Sequence, residues 1–148
     1  SISDGWHVRF IEFMPFAEQG KKASRLLVPV SEIMQRIEAL GKLEPSPPNG
    51  VGPAQYYRFP GVSGTIGFIS PVTDCFCEGC NRLRLTADGK LRPCLFSDEE
   101  IDLRHPLRQG ATVEDIKRLI QQAVSAKPER HQLVAGVTCE RFMSQIGG

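Results

Sequence analysis

Four of the five cysteines in this chain of 148 residues lie between positions 75 and 94. Cys77 and Cys80 are separated by two residues, so both thiols lie on one tight loop and can reach the same metal. Cys94 follows after thirteen intervening residues. Spacings this short are typical of metal ligation rather than of a disulfide framework, which spreads its cysteines along a chain. The sequence therefore predicts a metal or cluster centre at Cys77, Cys80 and Cys94.

The residues between Cys80 and Cys94 predict a β-hairpin that returns the third thiol to the first two. The pair Asp88-Gly89 suits a two-residue turn, because both residues tolerate positive φ. With this pair as the tip, Leu83 would lie opposite Cys94. Leu83 follows Cys80 by three positions, which span at most about 10 Å of extended chain, so we expect the three sulfurs to converge.

Three thiolates in this arrangement can hold a reactive metal centre as well as a structural one. They can hold three irons of a cubane 4Fe-4S cluster and leave the fourth iron without a protein ligand, open to a nitrogen or oxygen of a substrate. Arg82 and Arg84 are two positions apart on the predicted strand, so they project from one face. Their forked donors suit phosphate oxygens. An open metal position beside a phosphate clamp would form a substrate site.

The cysteine spacing fits a structural zinc site about equally well. Cys75 or another side chain would then complete a four-coordinate ion with Cys77, Cys80 and Cys94. Buried free thiols are a third interpretation, and arginines on a strand are more often solvated than bound to phosphate. The spacing alone leaves iron–sulfur and zinc open.

Composition restricts the class of partner. The 18 basic and 17 acidic side chains give a net charge of +1, so no overall field attracts the chain to nucleic acid or to a membrane. No apolar run approaches the roughly 18 residues of a spanning helix, and no signal-peptide pattern opens the chain. We expect a cytoplasmic protein with reduced thiols and with neither nucleic acid nor membrane as a partner.

The first part of the chain predicts one strand and one helix. The stretch HVRFIEFM at residues 7–14 indicates a buried strand. Its apolar residues do not alternate cleanly, which fits a strand covered on both faces, as in a parallel sheet. A helix is predicted from an N-cap at Ser31 to about Leu40, with Leu40 on its apolar face and Gly41 as the stop.

The elements that follow are short. Residues 43–54 are rich in proline and glycine and predict an exposed connector. Two strand-like segments, QYYRF at 55–59 and GTIGFIS at 64–70, come next. Later, Thr112 and Asp115 resemble a capping box at the start of an amphipathic helix.

Taken together, these motifs resemble a known family. The stretches FISPVTDCFCEGCNRLRLTADGKLRPCLF and VRFIEFMPF, with the final GG, are similar to the C-terminal part of the molybdenum cofactor biosynthesis protein A family, the GTP 3′,8-cyclases. The resemblance implies an α/β fold, α+β in this fragment. Residues 1–44 would be the last part of an incomplete TIM-like radical S-adenosylmethionine barrel. Residues 45–148 would form a small antiparallel-sheet domain that binds an iron–sulfur cluster and GTP.

The resemblance also implies an activity. In this family, one cluster binds S-adenosylmethionine and generates a 5′-deoxyadenosyl radical. A second 4Fe-4S cluster, held by three cysteines in the C-terminal domain, binds GTP through its open iron. The radical removes hydrogen from the ribose 3′ carbon, which then attacks C8 of guanine. The chain would be the GTP-binding half of such a lyase, which makes 3′,8-cyclo-7,8-dihydro-GTP in the first step of molybdenum cofactor biosynthesis.

The resemblance assigns roles to residues by their positions in the matching motifs. Met14 corresponds to a residue that contacts S-adenosylmethionine. Gly147 and Gly148 correspond to a terminal diglycine that the family directs into its active site as catalytic residues, where glycine fits without side-chain clash. A sulfur-carrier terminus is another interpretation of this diglycine, which the chain length and the cysteine hairpin oppose. The expected cluster ligands and GTP-binding residues are Cys77, Cys80 and Cys94, and Arg82, Leu83 and Arg84, respectively.

The chain departs from the family pattern in its missing motif and its additional thiols. The radical-generating CxxxCxxC motif is absent from these 148 residues, so we expect the chain to need a missing N-terminal radical half and to be inactive by itself. GTP and that half are the expected partners, and the apolar surface of a partial barrel predicts self-association, for example as a homodimer. Cys75 is interpreted as a spectator rather than as a site of oxidation or an adventitious fourth ligand, and Cys139 as a small buried residue or a free thiol.

Overall fold

The computed structural model of the chain describes residues 2–16, 24–47, 52–131, 133 and 139–146. These residues form two compact units, each with helices and a small β-sheet. The first unit contains residues 2–14, 24–47 and 52–76. The second contains residues 15–16, 77–131, 133 and 139–146. The mixture of helices and small sheets agrees with the predicted α/β or α+β class.

Four short strands form the framework of the first unit. They are β1 (Val8–Ile11), β2 (Glu44–Pro45), β3 (Gln55–Arg58) and β4 (Ile66–Ile69). They lie in the order β1-β4-β3-β2. β1 runs parallel to β4, and the other neighbours are antiparallel. The parallel pairing predicted for the N-terminal strand is confirmed, as are the two strand-like segments that form β3 and β4.

Helix α1 (Val30–Glu38) packs its apolar side onto this sheet. Ile33 and Ile37 contact a core of buried residues from the strands and their connections. Leu40, predicted to lie on the same face, follows the end of the helix and is 73% exposed. The buried residues of the core are Leu43, Phe59, Ile66 and Phe68.

The start of α1 differs from the prediction. Pro29 is the N-cap residue instead of Ser31, and its side chain makes no capping hydrogen bond. Glu12 Oε1 instead accepts a hydrogen bond from the N–H of Val30 at 2.9 Å. A carboxylate at this position stabilises the unpaired donors of a helix N-terminus. A residue 18 positions earlier in the chain therefore does what Ser31 was expected to do.

Only one face of β1 is covered. Val8 and Phe10 are half-buried, and Phe10 packs against the core of the unit, whereas Arg9 and Ile11 are exposed. The prediction of a strand covered on both faces is therefore wrong within the described residues. β1 lies at the edge of the sheet, and β1–β4 is the one parallel pair among the strands that the structure describes. A TIM-like barrel over residues 1–44 remains a prediction.

The boundary between the two compact units differs from the boundary predicted between domains 1–44 and 45–148. β3 and β4 share a sheet with β1, so residues 52–76 belong to the first unit. The main segment of the second unit begins at Cys77. The cysteine hairpin therefore belongs to a compact unit that is shorter than the predicted second domain.

Among its described residues, the second unit contains a three-stranded antiparallel sheet and two α-helices. Its elements are β5 (Arg84–Leu85), β6 (Lys90–Arg92), β7 (Ile101–Asp102), α2 (Arg104–Arg108) and α3 (Val113–Ser125). The predicted capping box between Thr112 and Asp115 is confirmed at the start of α3. Ala123 of α3 is fully buried against a core that includes Leu91 of β6. In the part of the chain that the structure describes, no helix has the length and apolar character to cross a membrane.

The β5–β6 hairpin has a three-residue loop instead of the predicted two-residue turn. Thr86 and Lys90 close this loop, with the N–H of Thr86 donating to the Lys90 carbonyl at 2.9 Å. Gly89 has a φ of 84°. A three-residue hairpin loop requires this left-handed conformation at its last position, which glycine adopts without strain.

The longer loop changes the register of the hairpin by one residue. Arg84 pairs with Arg92, so continuing the count places Arg82, and not Leu83, opposite Cys94. The prediction that Leu83 lies opposite Cys94 is therefore wrong. Leu83 packs against the core of the unit, and alternation along the strand then directs Arg82 and Arg84 to the other face.

Candidate metal centre and anion site

Cys77 and Cys80 lie at the two ends of one short turn. A single 3-10 turn spans Cys77–Gly79, and the N–H of Cys80 donates to the carbonyl of Cys77 at 3.0 Å. Neither cysteine forms a disulfide, and both side chains are half-buried. The two-residue spacing therefore folds into the tight loop that the sequence predicts.

Lys127 connects this turn to the hairpin arm that carries Cys94. Its ammonium group contacts the Cys80 sulfur at 3.5 Å and donates to the carbonyl oxygens of Arg82 at 2.8 Å and Pro93 at 3.0 Å. Arg82 follows Cys80 by two residues, and Pro93 directly precedes Cys94. One side chain thus links the segments that carry two of the three predicted ligands.

Arg84 interacts electrostatically with a neighbouring arginine and with the sulfurs of two cysteines. Burial is the main cause that lowers the pKa of its guanidinium, and the neighbouring charge of Arg82 lowers it further. The sulfurs of Cys80 and Cys94 raise it, so both cysteines lie within electrostatic reach of Arg84. Two neighbouring guanidinium groups in half-buried positions make the local electrostatic potential more positive.

Arg92, the partner of Arg84 in the hairpin, has a structural role. Its side chain is fully buried and forms ion pairs with Glu100 at 3.0 Å and Asp98 at 3.3 Å. It also donates to the sulfur of Cys139 at 3.1 Å. Cys139 is itself fully buried, as the sequence analysis expected, and burial raises the pKa of its thiol. A guanidinium enclosed by such partners stabilises the fold and has no access to a substrate.

The C-terminal segment is anchored to the same hairpin. Arg141 forms ion pairs with Asp88 at 3.0 Å and with Glu100 at 2.7 Å. The hydrogen bonds from Arg141 are the main cause that lowers the pKa of Asp88 below its ordinary value. Ile146 is fully buried and completes the anchor. Arg141 therefore holds this segment to the tip loop of the hairpin and to Glu100.

His131 is a potential ligand that the sequence analysis did not select. The polar residues around it indicate solvent exposure, yet its side chain is buried and packs edge-on against Phe96, with ring centroids 4.9 Å apart. A ring nitrogen of His131 and the sulfur of Cys77 lie within 4.8 Å of each other. The one feature of the sequence that could have drawn attention to His131 is its position just beyond the end of α3, four residues after Lys127.

The remaining predicted site residues lie in different parts of the chain. Met14 belongs to the first unit, where it is half-buried. Leu83, predicted to bind GTP with the two arginines, has its side chain packed on the core of the second unit. Cys75, interpreted as a spectator, is a free and half-buried thiol. Gly147 and Gly148 lie outside the described residues.

The spacing of the three thiols bears on the kind of metal they could hold. The sulfurs of Cys77, Cys80 and Cys94 do not all lie within 4.8 Å of one another. Around a tetrahedral zinc ion, with bonds of about 2.3 Å, neighbouring sulfurs lie about 3.8 Å apart. Sulfurs bound to different irons of a cubane lie farther apart, because the cluster separates them. Cys77 and His131 have the closer spacing of ligands to one ion, and a cluster at the three thiols stays a prediction.

A cleft with a volume of ≈ 650 Å³ opens beside the cysteine turn. Cys77, Cys80, Lys127 and Arg130 are among the residues that line it. Binding sites for small molecules commonly have volumes of about 300–1,000 Å³. The cleft therefore has room for a ligand next to the predicted cluster.

Comparison with known proteins places the chain among related sequences. The family model described as Molybdenum Cofactor Synthesis C matches residues 6–133. A GTP 3',8-cyclase of Pelotomaculum thermopropionicum is 51% identical over 150 residues, which cover 100% of this chain and 46% of the relative. The protein of the same name from Moorella thermoacetica is 48% identical over 96% of this chain and 44% of its own length. The relative from Rippkaea orientalis is 44% identical, with coverages of 100% and 47%. The chain thus spans about half the length of these curated relatives.

Proposed function

Because the chain belongs to the Molybdenum Cofactor Synthesis C family, we propose that it is the GTP-binding, cluster-bearing half of a GTP 3′,8-cyclase. The observation that carries this proposal is the position of Arg84 within electrostatic reach of Arg82 and of the sulfurs of Cys80 and Cys94. Metal ligands and phosphate-binding groups then occupy one region of the second unit. This is the arrangement that a nucleotide bound to a cluster would need.

Cys77, Cys80 and Cys94 would hold the 4Fe-4S cluster. When bound, the cluster supplies one iron without a protein ligand, to which a nitrogen or oxygen of the nucleotide can coordinate. The half-buried position of all three thiols suits this role, because partial burial limits the access of water while leaving one side open.

Arg82 and Arg84 would bind the triphosphate of GTP. A guanidinium group offers paired N–H donors that match phosphate oxygens, and the hydrogen bonds are strengthened by charge. The mutual repulsion of the two cations, seen in the lowered pKa of Arg84 after the larger effect of burial, would be relieved by the bound anion. The two arginines would therefore bind and orient the nucleotide at the cluster.

The remaining steps would need a second component. The 148 residues contain no CxxxCxxC motif, so the 5′-deoxyadenosyl radical would come from a separate radical S-adenosylmethionine segment. Met14 would contact S-adenosylmethionine in the assembled enzyme, and Gly147 and Gly148 would approach the reacting nucleotide. The assembled lyase would convert GTP to 3′,8-cyclo-7,8-dihydro-GTP for molybdenum cofactor biosynthesis. This chain by itself would bind GTP without converting it.

A structural zinc site is the second candidate function. The observation that favours it is the proximity of His131 to Cys77, within 4.8 Å. A Cys3His site is a common structural zinc site, and the unit would then serve to bind a partner protein. In that case the arginines would have no role in nucleotide binding, which separates the two proposals experimentally.

The proposal is tested by measuring GTP binding to the chain after anaerobic reconstitution with iron and sulfide. We expect Arg82→Ala and Arg84→Ala each to weaken GTP binding by about 10- to 100-fold, because each removes hydrogen bonds to charged phosphate oxygens. Iron content should not change. Arg118→Ala is the matched control, because Arg118 is exposed on α3 and pairs with Asp115.

Two outcomes would contradict the proposed function. One is equal GTP affinity in the wild-type chain and in both arginine variants. The other is a chain that takes up stoichiometric zinc in place of iron and sulfide and loses the zinc on His131→Ala, which would support the structural zinc site instead.

A further inference from the structure

Lys127 is placed by the end of α3 at the base of the cysteine hairpin. Ala123 anchors this part of the helix in the core of the unit, and the N–H of Lys127 donates to the Val124 carbonyl at 3.2 Å. The backbone that carries the ammonium group is therefore fixed. A lysine at a helix C-terminus often interacts with the last carbonyl groups of its own helix. Here the ammonium group donates to two carbonyl groups of the hairpin instead.

Lys127 joins the two arms of the hairpin where their ladder ends. The antiparallel ladder of β5 and β6 ends with the pair Arg84 and Arg92. Beyond this pair, the carbonyl oxygens of Arg82 on the first arm and Pro93 on the second both accept from Lys127, at 2.8 and 3.0 Å. The ammonium group thus links the two arms beyond the last pair of the ladder.

The third contact of the ammonium group is directed at a predicted ligand. Lys127 Nζ lies 3.5 Å from the sulfur of Cys80. An ammonium group has three N–H donors, and the three contacts use all of them. Two of the donors hold the arms, and the third directs positive charge at a sulfur that must carry negative charge when it binds metal.

We propose that Lys127 is a positioning residue for the metal centre. In the metal-free chain it holds the arm of Cys80 to the arm of Cys94, so that the two thiols are spaced before metal arrives. In the loaded chain it donates a hydrogen bond to the Cys80 sulfur. The second statement rests on the proposed function, whereas the first concerns the hairpin alone and can be tested without metal.

The first test compares hydrogen exchange in the metal-free chain. In Lys127→Met, which keeps the length of the side chain but removes its donors, we expect the amide of Cys80 to exchange at least about 10-fold faster, because the linked segment opens locally. The amides within α3 should keep their wild-type exchange, which shows that the variant is folded. Lys117→Met, on the exposed side of the same helix, should resemble the wild type throughout.

The second test uses anaerobic titration with Co²⁺ as a spectroscopic probe of thiolate ligands. Loss of an outer partner of a metal ligand commonly weakens metal binding by about 10- to 100-fold, and we expect this loss in Lys127→Met. We also expect the thiolate-to-cobalt absorption to shift to lower energy, because a sulfur without the hydrogen bond donates more strongly to the metal. Lys127→Arg keeps the charge and the donors and should recover part of both. A merely structural lysine would lower affinity without changing the absorption of the bound state.

The results separate this inference from the proposed function. Wild-type exchange at Cys80 in Lys127→Met would overturn the link between the arms, and unchanged Co²⁺ affinity and absorption would overturn the contact with the ligand. If the wild-type chain binds neither Co²⁺ nor iron, the proposed function fails, and the ligand contact fails with it. The exchange comparison still decides whether Lys127 holds the hairpin.

Discussion

Glu12 is a buried carboxylate that organises the first unit. Its oxygens accept hydrogen bonds from the N–H groups of Val30 at 2.9 Å, Val72 at 3.1 Å and Thr73 at 3.0 Å, and from the Thr73 hydroxyl. Burial alone would raise the pKa of Glu12, but these hydrogen bonds outweigh it, and the pKa falls below its ordinary value of 4.5. One side chain therefore holds the end of β1 to the start of α1 and to the loop after β4.

Glu12→Gln should destabilise this arrangement, because an amide keeps one acceptor and turns two N–H donors towards backbone donors. We expect the free energy of unfolding at pH 7 to fall by about 1–3 kcal/mol, measured by urea denaturation. A carboxyl with a lowered folded pKa stabilises above its unfolded pKa and loses that contribution as the pH falls through the folded pKa. The difference from the wild type should therefore shrink below about pH 4.5. Exposed Glu38→Gln is the control, and a difference independent of pH would contradict this role for Glu12.

Single residues show what the sequence could and could not predict about the site. The turn that carries Cys77 was predictable, because only two residues separate it from Cys80 along the chain. Glu12 and Lys127 were not, because their partners are distant in sequence. Glu12 meets Thr73 at a separation of 61 positions, and Lys127 meets Arg82 at a separation of 45. The importance of such residues arises from contacts that no local pattern encodes.

The cysteine hairpin shows the same limit for an element. Alternation and the Asp88-Gly89 pair predicted the two strands correctly, but both a two-residue and a three-residue loop accept glycine at the last position. The structure selects the longer loop, because Gly89 closes it while its carbonyl accepts from the N–H groups of Leu103 at 3.0 Å and Arg104 at 3.1 Å. The start of α2 thus contributes to the loop length. This contact joins segments that are separate in the sequence, so the register could not be derived locally.

The loop can be tested with a matched pair of glycines. Gly89 and Gly110 have nearly the same positive φ, 84° and 81°, so alanine at either position is strained by about 1–2 kcal/mol. A Cβ at Gly89 would also lie 2.6 Å from the Cβ of Arg104, whereas Gly110 has open space around it. We expect Gly89→Ala to lower the free energy of unfolding by at least about 1 kcal/mol more than Gly110→Ala, because it adds overpacking. Equal losses in denaturant unfolding would show that the contact with Arg104 does not restrict the loop.

At the scale of the whole molecule, the first unit exposes apolar side chains that a globular protein usually covers. Ile11 is 53% exposed, Phe13 is 43% exposed and Trp6 is 66% exposed. Scattered apolar residues are common on surfaces, but a group that includes an edge strand favours association.

We therefore expect the isolated chain to associate as its concentration rises, measured by analytical ultracentrifugation. The double variant Ile11→Thr with Phe13→Ser should shift the distribution towards the monomer, because it removes apolar surface beside β1. Val113→Thr in the second unit is the control, since Val113 is 72% exposed but lies on α3. A wild-type chain that stays monomeric at every concentration would argue against association through this surface.

The central claim is that three thiols of the second unit hold a cluster, and chemical analysis of iron and acid-labile sulfide tests it most directly. After anaerobic reconstitution, the wild-type chain and Cys75→Ser should each contain about four irons and four sulfides per chain, whereas Cys94→Ser should lose most of both. A chain that binds one zinc ion and no sulfide, or a Cys94→Ser variant with wild-type iron and sulfide, would contradict the account.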